Sequence, residues 1–112
     1  MSATTDPNSP GLKEILEDGQ QKDYLVLSLE ERDRGFVRPL RDEYLHLKCG
    51  TITWMGGAIA ETYARNPHFY GGTYCGTCRG HFPLFEQFVN NQGETMRKPN
   101  FYWKGTTEGV GE

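Results

Sequence analysis

The sequence predicts an α+β fold, β-hairpins with one helix inserted between them, and three observations carry that reading. All three cysteines fall in two short runs that also hold histidines: His46-Leu-Lys-Cys49-Gly50 and Cys75-Gly-Thr-Cys78-Arg-Gly-His81. Short stretches rich in β-branched and aromatic residues flank each run, as the arms of a hairpin do. Between the runs, Met55, Ala58, Ile59, Thr62 and Tyr63 recur at intervals of three and four, the spacing of one helix face.

At 112 residues the chain has room for one core. Residues 1–20 are rich in Ser, Thr, Pro, Asn and Gly, set Lys13 against Asp6, Glu14, Glu17 and Asp18, and read as a flexible acidic N-terminal arm. A short helix over residues 12–16 is the most this arm would form. It accounts for the whole net charge of -3, so the domain proper, residues 21–112, is formally neutral.

Within the domain, residues 24–29 read as the first strand and residues 30–35 as a charged turn. Phe36-Val37 begins an edge strand or loop, because Pro39 interrupts it. Residues 44–47 lead into the first Cys/His run and Thr51–Trp54 lead out of it, a hairpin with its candidate ligands at the tip. The helix follows, with Thr53 as candidate cap, Gly56-Gly57 in its first turn, Glu61 and Arg65 four apart on another face, and Asn66-Pro67 as its stop. After a loop over residues 68–72, Thr73-Tyr74 approaches the second run. Residues 84–89 and 100–104 are expected to pair as a last hairpin around the polar turn at residues 90–93.

A tetrahedral zinc ion takes four nitrogen or sulfur donors, commonly as two pairs whose members are two residues apart, so that one short turn aims both at the metal. His46/Cys49 and Cys75/Cys78 are two such pairs. Gly50 and Gly80 suit turns that bring backbone amides close to thiolates. The expectation is a small zinc-ribbon-like domain that binds zinc through His46, Cys49, Cys75 and Cys78. His81, three residues past Cys78, is the alternative fourth ligand. It would leave Cys49 alone in its turn, whereas His46 makes the two turns equivalent. His68 follows Asn66-Pro67 and reads as a surface residue. Without metal, the cysteines would be small buried apolar groups. A disulfide would leave one of the three unpaired, and no export signal precedes them.

Zinc nucleobase deaminases share this spacing, but they place a glutamate two residues after the first ligand and a proline before the cysteine pair. Here Thr51 and Tyr74 stand at those positions. Four filled coordination positions also leave no place for a reacting water. The chain is therefore expected not to be an enzyme.

Residues 35–83 carry a resemblance, above all in Cys49-Gly-Thr-Ile-Thr-Trp-Met-Gly-Gly-Ala-Ile-Ala-Glu-Thr-Tyr-Ala-Arg65 and Phe69-Tyr-Gly-Gly-Thr-Tyr-Cys-Gly-Thr-Cys78. This stretch, under half of the chain, resembles a group of short bacteriophage proteins of zinc-ribbon-like type. The resemblance implies a phage product acting in a bacterial cytoplasm and brings no catalytic residues with it. No apolar run approaches the ~20 residues of a membrane span, which agrees with a soluble chain.

Two binding functions compete. Arg32, Arg34, Arg38 and Arg41 surround Phe36 and Val37, a pattern that could set guanidinium groups on phosphates beside a stacking ring. Glu30, Glu31, Asp33, Asp42 and Glu43 crowd the same stretch and cancel its field. The other function is protein binding, because aromatic residues are dense from Phe69 to Trp103 and aromatic side chains anchor interfaces. Phe69 and Tyr70, ahead of a metal-fixed Cys75, together with Glu61 and Arg65 on the helix, are the expected contacts. The preferred reading is a non-catalytic zinc protein that docks on a host protein complex and inhibits or redirects it, a nucleic-acid-targeting defence complex being one candidate, in the manner of an anti-CRISPR protein. The alternative is a nucleic-acid-binding zinc ribbon used in phage transcription or replication.

Overall fold

The computed structural model describes residues 2–112. In chain order its strands are β1 (Ser2–Thr4), β2 (Asp23–Leu25), β3 (Glu43–His46), β4 (Thr51–Trp54), β5 (Gly72–Cys75), β6 (Gly80–Pro83), β7 (Phe85–Val89), β8 (Thr95–Pro99) and β9 (Phe101–Trp103), and its helices are α1 (Leu29–Arg32) and α2 (Gly57–Arg65). The architecture is α+β: a three-stranded antiparallel sheet in the order β4-β3-β9, antiparallel hairpins β5-β6 and β7-β8, and a parallel pair β1-β2.

The core sits between the three-stranded sheet and α2. Side chains alternate across a strand, and the register sets Tyr44 opposite Trp103 and His46 opposite Phe101, so all four face the same way and all are buried. Ala60 and Tyr63 of α2 cover them, with Met55, Leu84 and Val110 closing the sides. Tyr44 meets Phe101 edge-on with ring centroids 5.6 Å apart, and Tyr63 meets Trp103 in the same way at 5.6 Å.

The helix α2 starts at Gly56, which caps without a side chain, and ends where Asn66 donates to the Thr62 carbonyl at 2.8 Å, just before Pro67. Thr53 is not its cap. It lies on β4, and its hydroxyl accepts the Gly76 amide at 3.1 Å. Glu61 and Arg65 do not act as a pair on the helix surface either. They reach α1, where Glu61 pairs with Arg32 and Arg65 pairs with Glu31 at 3.3 Å.

Three elements differ from the expectations. The strand expected over residues 24–29 is short, because Ser28 accepts the Glu31 amide at 3.2 Å and starts the single-turn α1 there. Residues 85–89 pair with residues 95–99 and not with 100–104, although the Asn100 amide still donates to the Leu84 carbonyl at 2.9 Å. Asn90 folds the turn on its own side chain, accepting the amides of Gln92 and Glu94, and Gly93 takes a φ of 76°, so β7 returns at once into β8. The next segment, β9, carries Phe101 and Trp103 and is used to extend the central sheet. Residue 20 is also no break in hydrogen bonding. The Val26 amide donates to Thr4, Ser9 bonds Asp23 at 3.1 Å, Arg79 donates to the Glu17 carbonyl and the Tyr74 hydroxyl to that of Asp18, while the helix expected over residues 12–16 is a 3-10 turn at Pro10–Leu12.

Candidate metal centre

Two turns of the same length bring the site together. In the first, between β3 and β4, the Gly50 amide donates to the His46 carbonyl at 2.7 Å; in the second, between β5 and β6, the Arg79 amide donates to the Cys75 carbonyl at 2.8 Å. Each bond closes the loop so that the first and fourth residues of the turn point to one side. The result is a cluster of His46, Cys49, Cys75 and Cys78, whose donor atoms all lie within 4.8 Å of one another.

The spacing of that cluster suits a tetrahedral metal. With zinc–sulfur bonds near 2.3 Å and zinc–nitrogen bonds near 2.0 Å, a tetrahedron has sulfur–sulfur edges of about 3.8 Å and sulfur–nitrogen edges of about 3.5 Å. Cys49 Sγ lies 3.6 Å from Cys75 Sγ, and Cys78 Sγ lies 3.6 Å from His46 Nδ1. Three thiols and one imidazole are also soft and borderline donors of the kind zinc prefers. The residues present fit a metal ion such as zinc.

The surroundings hold these donors in place. The His46 ring stacks on Phe101, with centroids 4.7 Å apart and planes 19° from parallel, and Phe82 covers it at 4.7 Å. The Tyr44 hydroxyl donates to the Tyr74 carbonyl and accepts from Thr73 Oγ1 at 3.2 Å, which ties β3 to β5 beside the second pair. On the outer side Thr51 Oγ1 lies 3.0 Å from Cys49 Sγ and within hydrogen-bond distance, 2.8 Å, of Thr77 Oγ1. The Cys78 amide points at Cys75 Sγ, 3.5 Å away, as amides do at thiolates. Thr73, Tyr44 and Phe101 were not recognisable as site residues, because their roles depend on which strands lie side by side. Thr51 alone had a local signal, two residues after Cys49.

Protonation within the cluster is divided unequally. Burial opposes ionisation of Cys49, but hydrogen bonds from the Thr51 hydroxyl and amide, from Cys75 and from His46 outweigh it and hold its thiol at about 6. Burial and the neighbouring Cys75 and Cys49 push Cys78 up to about 11. Three packed thiols cannot all carry charge unless a cation joins them, so metal binding here displaces protons.

His81 stands outside the cluster. Its Nε2 hydrogen-bonds the Tyr24 hydroxyl at 2.9 Å, its ring lies 5.4 Å from that of Tyr74, and burial lowers its pKa. His68 is exposed in its loop.

The other candidate residues are largely engaged within the fold. Tyr70 packs against the core and donates to the Leu25 carbonyl at 2.6 Å, and Phe69 meets it edge-on at 4.9 Å; both rings are half-buried rather than exposed. Each arginine of the basic stretch meets a carboxylate: Arg32 with Glu61, Arg34 with Glu31 at 3.2 Å, Arg38 with Glu108 at 3.7 Å, and Arg41 with Glu108 at 2.7 Å. Arg41 also lies over the Trp103 ring at 4.6 Å. The structure therefore gathers the four metal-ligand candidates at one point and leaves the arginines spread along two acid-matched seams. Among the described residues no helix is long and apolar enough to cross a membrane.

Compared with protein-family models, with curated proteins and with solved structures, the chain matches none.

Proposed function

We propose that the chain is a zinc-supported binding module that works by docking rather than by catalysis, made by a bacteriophage and acting on a protein complex in the cytoplasm of its bacterial host. One observation carries this reading: two separate hairpins deliver three sulfurs and one nitrogen to within 4.8 Å of each other. When bound, zinc would supply folding free energy on the order of 10 kcal/mol by joining the two hairpins. His46, Cys49, Cys75 and Cys78 would fill its four positions, which is the arrangement of a structural site and not of one that activates water. Thr51, where a deaminase would carry its proton-shuttling glutamate, spends its hydroxyl on Cys49 and Thr77.

Protein binding is preferred to nucleic-acid binding because the arginines are matched by acids and the chain is net negative. The hairpin β7-β8 exposes Phe88, Val89 and Met96, an apolar contact that half-buried Phe69 and Tyr70 do not offer. A nucleic-acid-targeting defence complex suits as target, since the acidic residues among the first 20 would compete with nucleic acid for a basic groove.

Two measurements test this. Elemental analysis of freshly purified protein is expected to find one zinc per chain, and folded protein without metal would refute the zinc centre. Tagged protein is then used to capture partners from bacterial lysate with and without nuclease. One protein complex retained after nuclease is the expected result, and loss of every partner on nuclease treatment would move the function to nucleic acid.

A further inference from the structure

The strand β4 lies at the end of the three-stranded sheet, and among the described residues no second strand hydrogen-bonds to its outer edge, while the turn after β5 approaches the core-facing hydroxyl of Thr53. The register pairs Thr53 with Tyr44 and Thr51 with His46, and the Met55 amide donates to the Asp42 carbonyl at 2.8 Å. Thr51, Thr53 and Met55 are thus the residues whose main-chain groups face β3, while those of Ile52 and Trp54 face outward. The side chains of Ile52 and Trp54 point away from the core and are 40% and 66% exposed. Leu45, opposite Ile52, and Tyr102, opposite Leu45, continue this apolar face and are half-buried. An unpaired edge is ordinarily protected by a charge, a proline or a bulge. The β4 sequence Thr-Ile-Thr-Trp has no charge and no proline, and its pairing to β3 runs without a bulge.

We propose that this edge is the two-fold interface of a homodimer, its occupant being β4 of a second copy of the chain. An antiparallel pairing centred on Thr53 sets Ile52 of each copy opposite Trp54 of the other. Both residues carry outward-facing main-chain groups, so both pairs exchange two hydrogen bonds and the sheet continues through six strands. No other register of two such four-residue strands joins both pairs. A shift by two residues keeps one of them, and a shift by one turns outward groups against inward ones. On the outer face the same register packs each Trp54 ring against a β-branched Ile52, a favourable cross-strand pair. Beside it Glu43 is neutralised by Lys104 at 2.9 Å, so the two copies do not meet like charge to like. The fit of this edge to itself is what selects a second copy over an unrelated extended segment. Four residues and one large ring form less than a standard interface, so the dimer is weak and depends on concentration.

The test is analytical ultracentrifugation of the full metal-loaded protein across a wide concentration range. The mass is expected to rise from that of the 12.7 kDa chain towards twice that value. Trp54→Lys, on the solvent face, is expected to weaken association about tenfold or more. Ile52→Pro removes an amide that faces away from β3 and takes no part in the β3-β4 ladder, so it should weaken dimerisation while circular dichroism and zinc content hold. Val89→Lys, on the exposed β7-β8 hairpin, should leave the dimer intact. A wild-type chain that stays monomeric throughout overturns the proposal. So does association that Val89→Lys abolishes while Trp54→Lys and Ile52→Pro spare it.

Discussion

Gly50 and Arg79 occupy the same place in the two ligand turns. Each follows the second donor of its pair, each has a positive φ, 71° and 55°, and each sends its amide to the carbonyl of the first donor. Glycine takes that conformation without steric cost, and Arg79 is the one non-glycine residue among those described that adopts it. Gly50→Ala is expected to destabilise by about 1 kcal/mol although open space surrounds the new methyl group. Arg79→Gly is expected to range from neutral to about 1 kcal/mol stabilising, since its hydrogen bond to the Glu17 carbonyl offsets part of the relief. Urea unfolding at fixed zinc concentration measures both.

The two histidines should separate cleanly. His46→Ala removes a ligand and the ring stacked between Phe101 and Phe82, so zinc content and the folded state should be lost together. His81→Ala gives up the hydrogen bond to Tyr24, a loss of about 1 kcal/mol, and should keep its zinc. Elemental analysis with circular dichroism of both variants, before and after a chelator, decides the matter.

Tyr70 should behave as a core residue. Tyr70→Phe is expected to cost about 1 kcal/mol through the lost bond to the Leu25 carbonyl. Tyr70→Ala should cost about 2–3 kcal/mol, less than truncation of a fully buried aromatic, because the ring is half-buried against the core. Thermal melts that show Tyr70→Ala as stable as the wild type would make the ring a free surface group.

Acid should remove the contribution of the Arg41–Glu108 pair. The hydrogen bond from Arg41 lowers the Glu108 pKa, so this carboxylate binds its proton less readily in the folded chain than in the unfolded one. Its contribution is therefore present above the unfolded value of about 4.3 and fades as pH falls through the lower folded value. The stability difference between wild type and Glu108→Gln should be constant near neutrality and shrink in acid. A difference that grows on acidification would contradict the pairing.

The site was easier to read than the fold that carries it. Donor chemistry is local, and His46-Leu-Lys-Cys49 and Cys75-Gly-Thr-Cys78 each need only one turn to aim their side chains. The hairpin Glu43–Trp54 around the first pair and the helix between the pairs were likewise visible in alternation and in three- and four-residue spacing. The pairing of β9 with β3 was not, because nothing near Phe101 states that its partner lies more than 50 residues earlier, at His46. Fates of charged and aromatic side chains failed for the same reason. Whether Arg41 or Tyr70 faces solvent depends on Glu108 and Leu25, which are remote in sequence.

The position of Phe101 also bears on the order in which a growing chain can assemble the centre. Synthesis runs from the N-terminus, so His46, Cys49, Cys75 and Cys78 all leave the ribosome before β9 does. During that interval the imidazole lacks the ring it stacks on and the central sheet has only two strands. The ring that backs His46 therefore comes later in the chain than all four donor candidates, so the seat of the imidazole is completed from outside the two turns that carry the donors.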